Sequence, residues 1–146
     1  MSQYVYVEEQ EVAYNSGVLL NDSIPCRRGM VLHQNGSANL TVRVIVNNPC
    51  RNAFARYRVF FSGNIAVPTG GTVGEISLSV AVNGEPVAYS LSAVTPTVAE
   101  AYFNVSGSAY VDVLPYGSPT VTIRNTSATE AAINTRNMSV QVERIA

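Results

Sequence analysis

The side chains that could do chemistry are few: one histidine, His33, two cysteines, Cys26 and Cys50, and ten carboxylates. A general base needs a partner to orient it, and no acid stands near His33 in sequence. The Asn35-Gly36 pair just beyond it is a hairpin signal, which places His33 at the exposed end of a strand. Asp22 and Asp112 are isolated, and Glu8, Glu9 and Glu11 sit together near the N-terminus with no base beside them. Nothing points to two carboxyl groups facing one another across a substrate. Gly70-Gly71 with Gly74 is not a phosphate loop, because no helix follows and no Lys-Ser/Thr ends it. Catalytic residues, metal ligands and a cofactor are therefore expected to be absent, and the chain does not read as an enzyme.

The cysteines share a context, Pro25-Cys26-Arg27 and Pro49-Cys50-Arg51. Both fall in turn-like segments that flank strands, so they could meet at one end of a β-sandwich. A disulfide between them would stabilise by about 3 kcal/mol on the loop-entropy model. Two free thiols suit a reducing cytoplasm equally, and without nearby histidines the pair is not a zinc site.

What must position these groups is a chain of 146 residues, enough for one domain with a sizeable core. Hydrophobic residues make up 47% and charged residues only 13%, against about 25% charged in an ordinary soluble domain. The polar surface is instead built of Asn, Ser and Thr, and such a surface offers little electrostatic resistance to association. All of the basic residues are arginine, the side chain suited to fixed, planar hydrogen bonding at interfaces. A formal net charge of −1 gives no basic field for nucleic acid. No apolar run approaches the ~20 residues that span a bilayer, and the N-terminus shows no basic segment followed by an apolar one. The expectation is synthesis in the cytoplasm without a signal peptide.

Period-two alternation runs through the chain. The central stretch holds Arg56–Ile65, with Tyr57, Val59 and Phe61 on one side and Arg56, Arg58 and Phe60 on the other. Glu75–Val82 follows, and Asn83-Gly84 leads into a partner strand over Val87–Val94. Ala38–Val46 alternates in the same way. Tyr102–Val105 and Ser108–Leu114 read as two strands split at Ser106-Gly107, and Thr120–Asn125 and Met138–Ile145 supply the last two. Ala128–Ala132 favours helix but is too short to form one alone. Short strands at regular spacing predict an all-β, single-domain antiparallel β-sandwich of jelly-roll type over residues 12–146. Residues 1–11, opening on Tyr4-Val5-Tyr6-Val7 and then turning acidic, read as an N-terminal arm or an edge strand.

Three segments resemble the trimeric jelly roll of the tumour-necrosis-factor and C1q-like group, as found in bacterial collagen-like and phage structural proteins. They are Ala55-Arg56-Tyr57-Arg58-Val59-Phe60-Phe61, the run Gly74–Pro86 with its Asn-Gly turn, and the closing Asn137–Ala146. The resemblance spans about residues 30–146. No Gly-X-Y stalk precedes it, and no acidic calcium loop accompanies it. It implies a homotrimer burying aromatic residues, with Tyr57, Phe61, Tyr102, Phe103 and Tyr110 as candidates. It further implies a non-enzymatic structural module on a phage virion (capsid decoration, head fibre or tail-associated protein), in contact with other virion proteins. The alternative is a carbohydrate-binding module for surface attachment, holding a surface glycan with Asn47, Asn52 and Tyr116 on exposed loops.

Overall fold

Alternating apolar and polar side chains commit the backbone to strands, because successive residues of a strand point to opposite faces. The computed structural model describes residues 1–25, 30–44, 54–115 and 117–145. In chain order the strands are β1 (Ser2–Tyr6), β2 (Gln10–Val12), β3 (Asp22–Ile24), β4 (Val31–Leu32), β5 (Leu40–Val42), β6 (Ala55–Ala66), β7 (Ile76–Val82) and β8 (Glu85–Pro86). A single 3-10 turn, Ala88–Ser90, then precedes β9 (Ser92–Val94), β10 (Phe103–Val113), β11 (Thr120–Asn125) and β12 (Ile133–Arg144). They form two sheets. The first runs β10-β6-β12-β1-β3, with β2 also on β12; the second runs β4-β5-β11-β7-β8, with β9 also on β7. Every pairing is antiparallel. The molecule is an all-β sandwich of two antiparallel sheets, consistent with a jelly roll.

The core lies between the sheets. Tyr4, Tyr57, Phe61, Ile65, Met138 and Val140 enter it from the first sheet, and Leu40, Ile76, Leu78, Val80 and Ile123 from the second. Each such side chain contributes about 1.5–3 kcal/mol when withdrawn from water. In β6 the Tyr57-Val59-Phe61 side faces inward, as its greater apolar content dictates, and Arg56, Arg58 and Phe60 face out.

Several elements differ from the sequence reading. β1 is neither an arm nor an edge strand, since it pairs with β12 on one side and β3 on the other. Its inward residue Tyr4 is 1% exposed, and burial of that ring holds the segment in the sheet. β10 runs unbroken through Ser106-Gly107. A Cβ at Gly107 would lie 2.3 Å from the Ser90 carbonyl oxygen and 2.8 Å from the Phe61 ring. That glycine therefore marks a close approach of two segments and not a turn. The strand expected over Val87–Val94 is interrupted by the 3-10 turn. β12 begins earlier than its sequence pattern indicates, because a bulge shifts its register between Arg136 and Ser139, with Asn137 at φ 54°. Asn83 (φ 52°) and Gly84 (φ 84°) make the tight turn from β7 to β8 that the Asn-Gly pair predicts.

Candidate functional site

Register and burial define the outer face of the first sheet. One row across it reads Ser108, Phe60, Gln141, Gln3, Ile24, and the next reads Ser106, Ser62, Ser139, Val5, Asp22. These rows carry no charge until Asp22 at the far edge. The charged groups stand above and below them, already paired. Arg56 Nε donates to Asp112 Oδ1 at 2.6 Å, Arg58 approaches Glu143 at 3.1 Å, and Arg136 approaches Glu9 at 3.3 Å. The Asp112 carboxyl is held below its usual range, first by the hydrogen bond from Arg56.

The residues the resemblance nominated for an interface divide here. Tyr57 is 2% exposed and Phe61 0%; both point into the protomer's own core, and the Tyr57 hydroxyl donates to the Arg43 carbonyl at 2.8 Å. They have no surface to give a neighbour, because the alternation of β6 turns them inward. Phe103 (42% exposed) and Tyr110 (58%) remain at the surface, and Phe60 (37%) joins them from the outward side of β6. Tyr102 is half-buried beneath the Arg136 guanidinium, 4.8 Å from its ring centre. Burial above all, and then the neighbouring Glu9 carboxylate, push its phenol up in pKa. Asn47, Asn52, Tyr116, Cys26 and Cys50 lie outside the described residues.

His33 is not solvated as its sequence position predicts. Its ring packs edge-on against Tyr4 with centroids 5.0 Å apart, and Nε2 bonds the Ser37 carbonyl at 2.9 Å. It braces a hairpin and has no acid on it. Among the described residues no group of three His, Cys, Asp or Glu side chains gathers as metal ligands do.

A second feature lies at the end of the sandwich where β6 passes to β7. A cleft of about 250 Å³ opens between the Val67–Thr72 turn, the 129–132 segment and Glu11 of β2. Both walls are pinned from behind. On one side the Thr69 hydroxyl bonds the Glu100 carboxylate, and the Glu100 N–H donates to the Val67 carbonyl at 2.8 Å. On the other, Asn125 is fully buried and makes four bonds. Its amide donates to the Val12 and Ala131 carbonyls, each at 3.0 Å. Its oxygen accepts from Ser127 Oγ at 2.6 Å and from Ser127 N at 3.1 Å. No sequence motif announces this cleft, because its lining comes from four separate stretches of chain. The Gly70-Gly71 pair was its one local signal, legible only as a connection between strands.

No protein-family model and no curated protein matches the sequence. The fold, by contrast, has relatives among solved structures. It is similar to the globular domain of zebrafish complement 1qA protein, at 14% identity and a TM-score of 0.57, over 96% of this chain and 94% of that one. The two chains share a two-sheet sandwich fold. At that identity the likeness concerns fold alone. The C-terminal domain of EclA, described as a sugar-binding protein, aligns over 93% of this chain and 79% of that one at 13% identity, with a TM-score of 0.43. The CBM22-1–GH10 modules of Clostridium thermocellum xylanase 10B, complexed with xylohexaose, align over 94% of this chain and 25% of theirs at 12% identity, with a TM-score of 0.32. Those two scores are too low to carry an argument about this chain.

Proposed function

We propose that this sandwich domain is a non-enzymatic structural and interaction module that assembles as a homotrimer through the outer face of its first sheet. The observation that carries this reading is the pair of rows across β10, β6, β12 and β1, uncharged until Asp22 on β3, with Phe60 standing out of them and Tyr110 beside the paired Arg58 in the adjoining row. Covering serines, glutamines and aromatic rings strips no unpaired ion of its water, whereas covering an isolated charge would cost several kcal/mol. Interface cores are depleted of charge and enriched in aromatic residues in the same way. A ring of copies, each offering one side of this face to the next, closes without leaving a patch exposed. Phe60, Tyr102 and Tyr110 are the contact residues in this reading; Phe103, though exposed at the start of β10, is on the other side of that strand. A phage virion, where such a head could act as capsid decoration, head fibre or tail-associated protein, is the setting proposed from the resemblance of the strand segments.

Light scattering across a range of concentrations tests the assembly. The expected mass is that of three chains, independent of concentration. Phe60→Glu and Tyr110→Glu, both at outward positions, should each release folded monomers. A monomer at every concentration in the unaltered protein would overturn the reading.

A further inference from the structure

The cleft lies at the end of the sandwich, beyond the two rows of the proposed trimer face, and has a chemistry of its own. Its accessible apolar surface is that of Pro68, Ala131 and Ala132, laid over the buried Val67 and Ile76. Around the rim stand the hydroxyls of Thr69, Thr72 and Thr129, the peptide groups of Gly70-Gly71 and the carboxylate of Glu11. No cationic side chain lines it. Among the described residues the Glu11 carboxylate is in no ion pair.

The walls are held in costly conformations. Glu100 (φ 64°), behind one wall, and Glu130 (φ 54°), in the segment that forms the other, both adopt left-handed backbone without being glycine. Such residues persist where surrounding bonds over-determine them, and they cluster at ligand clamps. Here the over-determination comes from the Thr69–Glu100 contact and the Asn125–Ser127 network. The cleft is therefore preformed, and a ligand entering it would have little wall to order.

We propose that this cleft binds one pyranose ring of a neutral glycan. A pyranose has an apolar C–H face and a girdle of hydroxyls, which match the apolar surface and the rim respectively. An ionised carboxylate accepts hydrogen bonds at two oxygens and can take two adjacent ring hydroxyls, while the Thr72 and Thr129 hydroxyls both give and accept; that of Thr69, which donates to Glu100, can only accept. A volume of about 250 Å³ falls just below the ~300 Å³ at which pockets for drug-sized ligands begin, so one ring enters and the rest of the glycan stays outside. The Glu11 charge, with no cation to offset it in the lining, disfavours uronic acids, sialic acids and phosphates. This site does not depend on the trimer, and the two fail separately.

The test is a titration of the ¹⁵N-labelled full chain with the methyl glycosides of glucose, galactose, mannose and N-acetylglucosamine, read by amide shifts. At least one glycoside should give saturable shifts confined to Gly70, Gly71, Thr72, Thr129 and Ala131, with a Kd of about 1 mM. Ala131→Trp, at an exposed position on the mouth, should abolish them. Glu11→Gln, on an exposed side chain, should weaken binding about tenfold and leave the remaining spectrum unchanged, so the proposal stays testable if the tryptophan variant fails to fold. Any one of three results would overturn it: no saturable shifts from any neutral glycoside, an equal response to methyl glucuronide, or shifts elsewhere that Glu11→Gln leaves unaltered.

Discussion

The two sheets of this sandwich are held together in different ways. The first rests on long backbone ladders: β6 and β12 run 12 residues each and β10 runs 11. Its outer side chains add exposed ion pairs, which contribute little, and a few polar contacts such as Gln3 to Ser139. The second sheet is made of shorter pieces, and single side chains complete it. Along β7, β9 pairs at Ile76–Leu78 and β8 at Ala81–Val82, leaving Val80 between them. Ser90 fills that gap: its Oγ accepts from Val80 N at 2.9 Å and donates to the Val87 carbonyl at 2.6 Å. Arg124 of β11 reaches the Gly84 carbonyl at 2.5 Å, across the line of β7. Asn125 and Ser127 tie the following segment to Ser77 and Val12. A ladder spreads its stabilisation over many equivalent bonds. A patched sheet concentrates it in a few residues.

That contrast can be broken by mutation. The largest loss should come from Asn125→Ala, which strands the buried Val12 carbonyl and the Ser127 N–H at about 1–3 kcal/mol for each unsatisfied group and frees the part-buried Ala131 carbonyl. Urea unfolding should show a drop of at least about 3 kcal/mol, and a loss under about 1 kcal/mol would mean the second sheet does not depend on its patches. Gly107→Ala sharpens the comparison from the first sheet, because its methyl would collide with the Ser90 carbonyl and the Phe61 ring. A cost of about 1–3 kcal/mol is expected for such overpacking, where β10 meets the carbonyl of the residue that completes the patch. Ser90→Ala should cost about 1–2 kcal/mol through the unpaired Val80 N–H, since the Val87 carbonyl keeps the Ser90 N–H, and Ser90→Thr, which keeps the hydroxyl, should recover part of it.

The smallest effect is expected on the outer face of the first sheet. Arg56→Ala should leave the unfolding midpoint at neutral pH nearly unchanged, since both partners are exposed. It should still raise the Asp112 titration midpoint towards its usual value, as read by carboxyl NMR. The sign follows from linkage: a carboxylate with a lowered folded-state pKa favours the folded chain above its ordinary pKa. That contribution disappears as pH falls through the lowered value. A large fall in the neutral-pH midpoint would mean the first sheet also depends on individual side chains.

Sequence pattern conveys a ladder more readily than a patch. Thr120–Asn125 has the bounds its alternation predicts, and Asn83-Gly84 turns where its φ preferences require. Alternation also separates the two faces of β6, yet which face goes inside depends on the whole set of facing strands. Tyr57 and Phe61, which the resemblance nominates for an interface, are on the side that goes inside. Ser90 and Gly107 were illegible because each acts on a neighbour distant in sequence. A serine in a strand-like run and a glycine after a serine look like weak spots until the segments meet. The Thr69, Thr129 and Glu11 rim is hidden for the same reason, and the two glycines between its threonines reveal only flexibility.

The position of β12 has a kinetic consequence. It lies between β6 and β1 and also carries β2, although it is the last strand in the chain. Ser2 faces Val142 across it, so that pairing joins residues 140 positions apart. Contacts of such range make folding slow, because their closure entropy must be met before they give anything back. During synthesis β6 waits with one edge bare until β12 emerges from the ribosome. A bare strand edge is a template for another chain, and crowding of nascent copies would then favour exchange of β12 between molecules. The central place of the final strand makes the timing of its arrival a hazard in the folding of this domain.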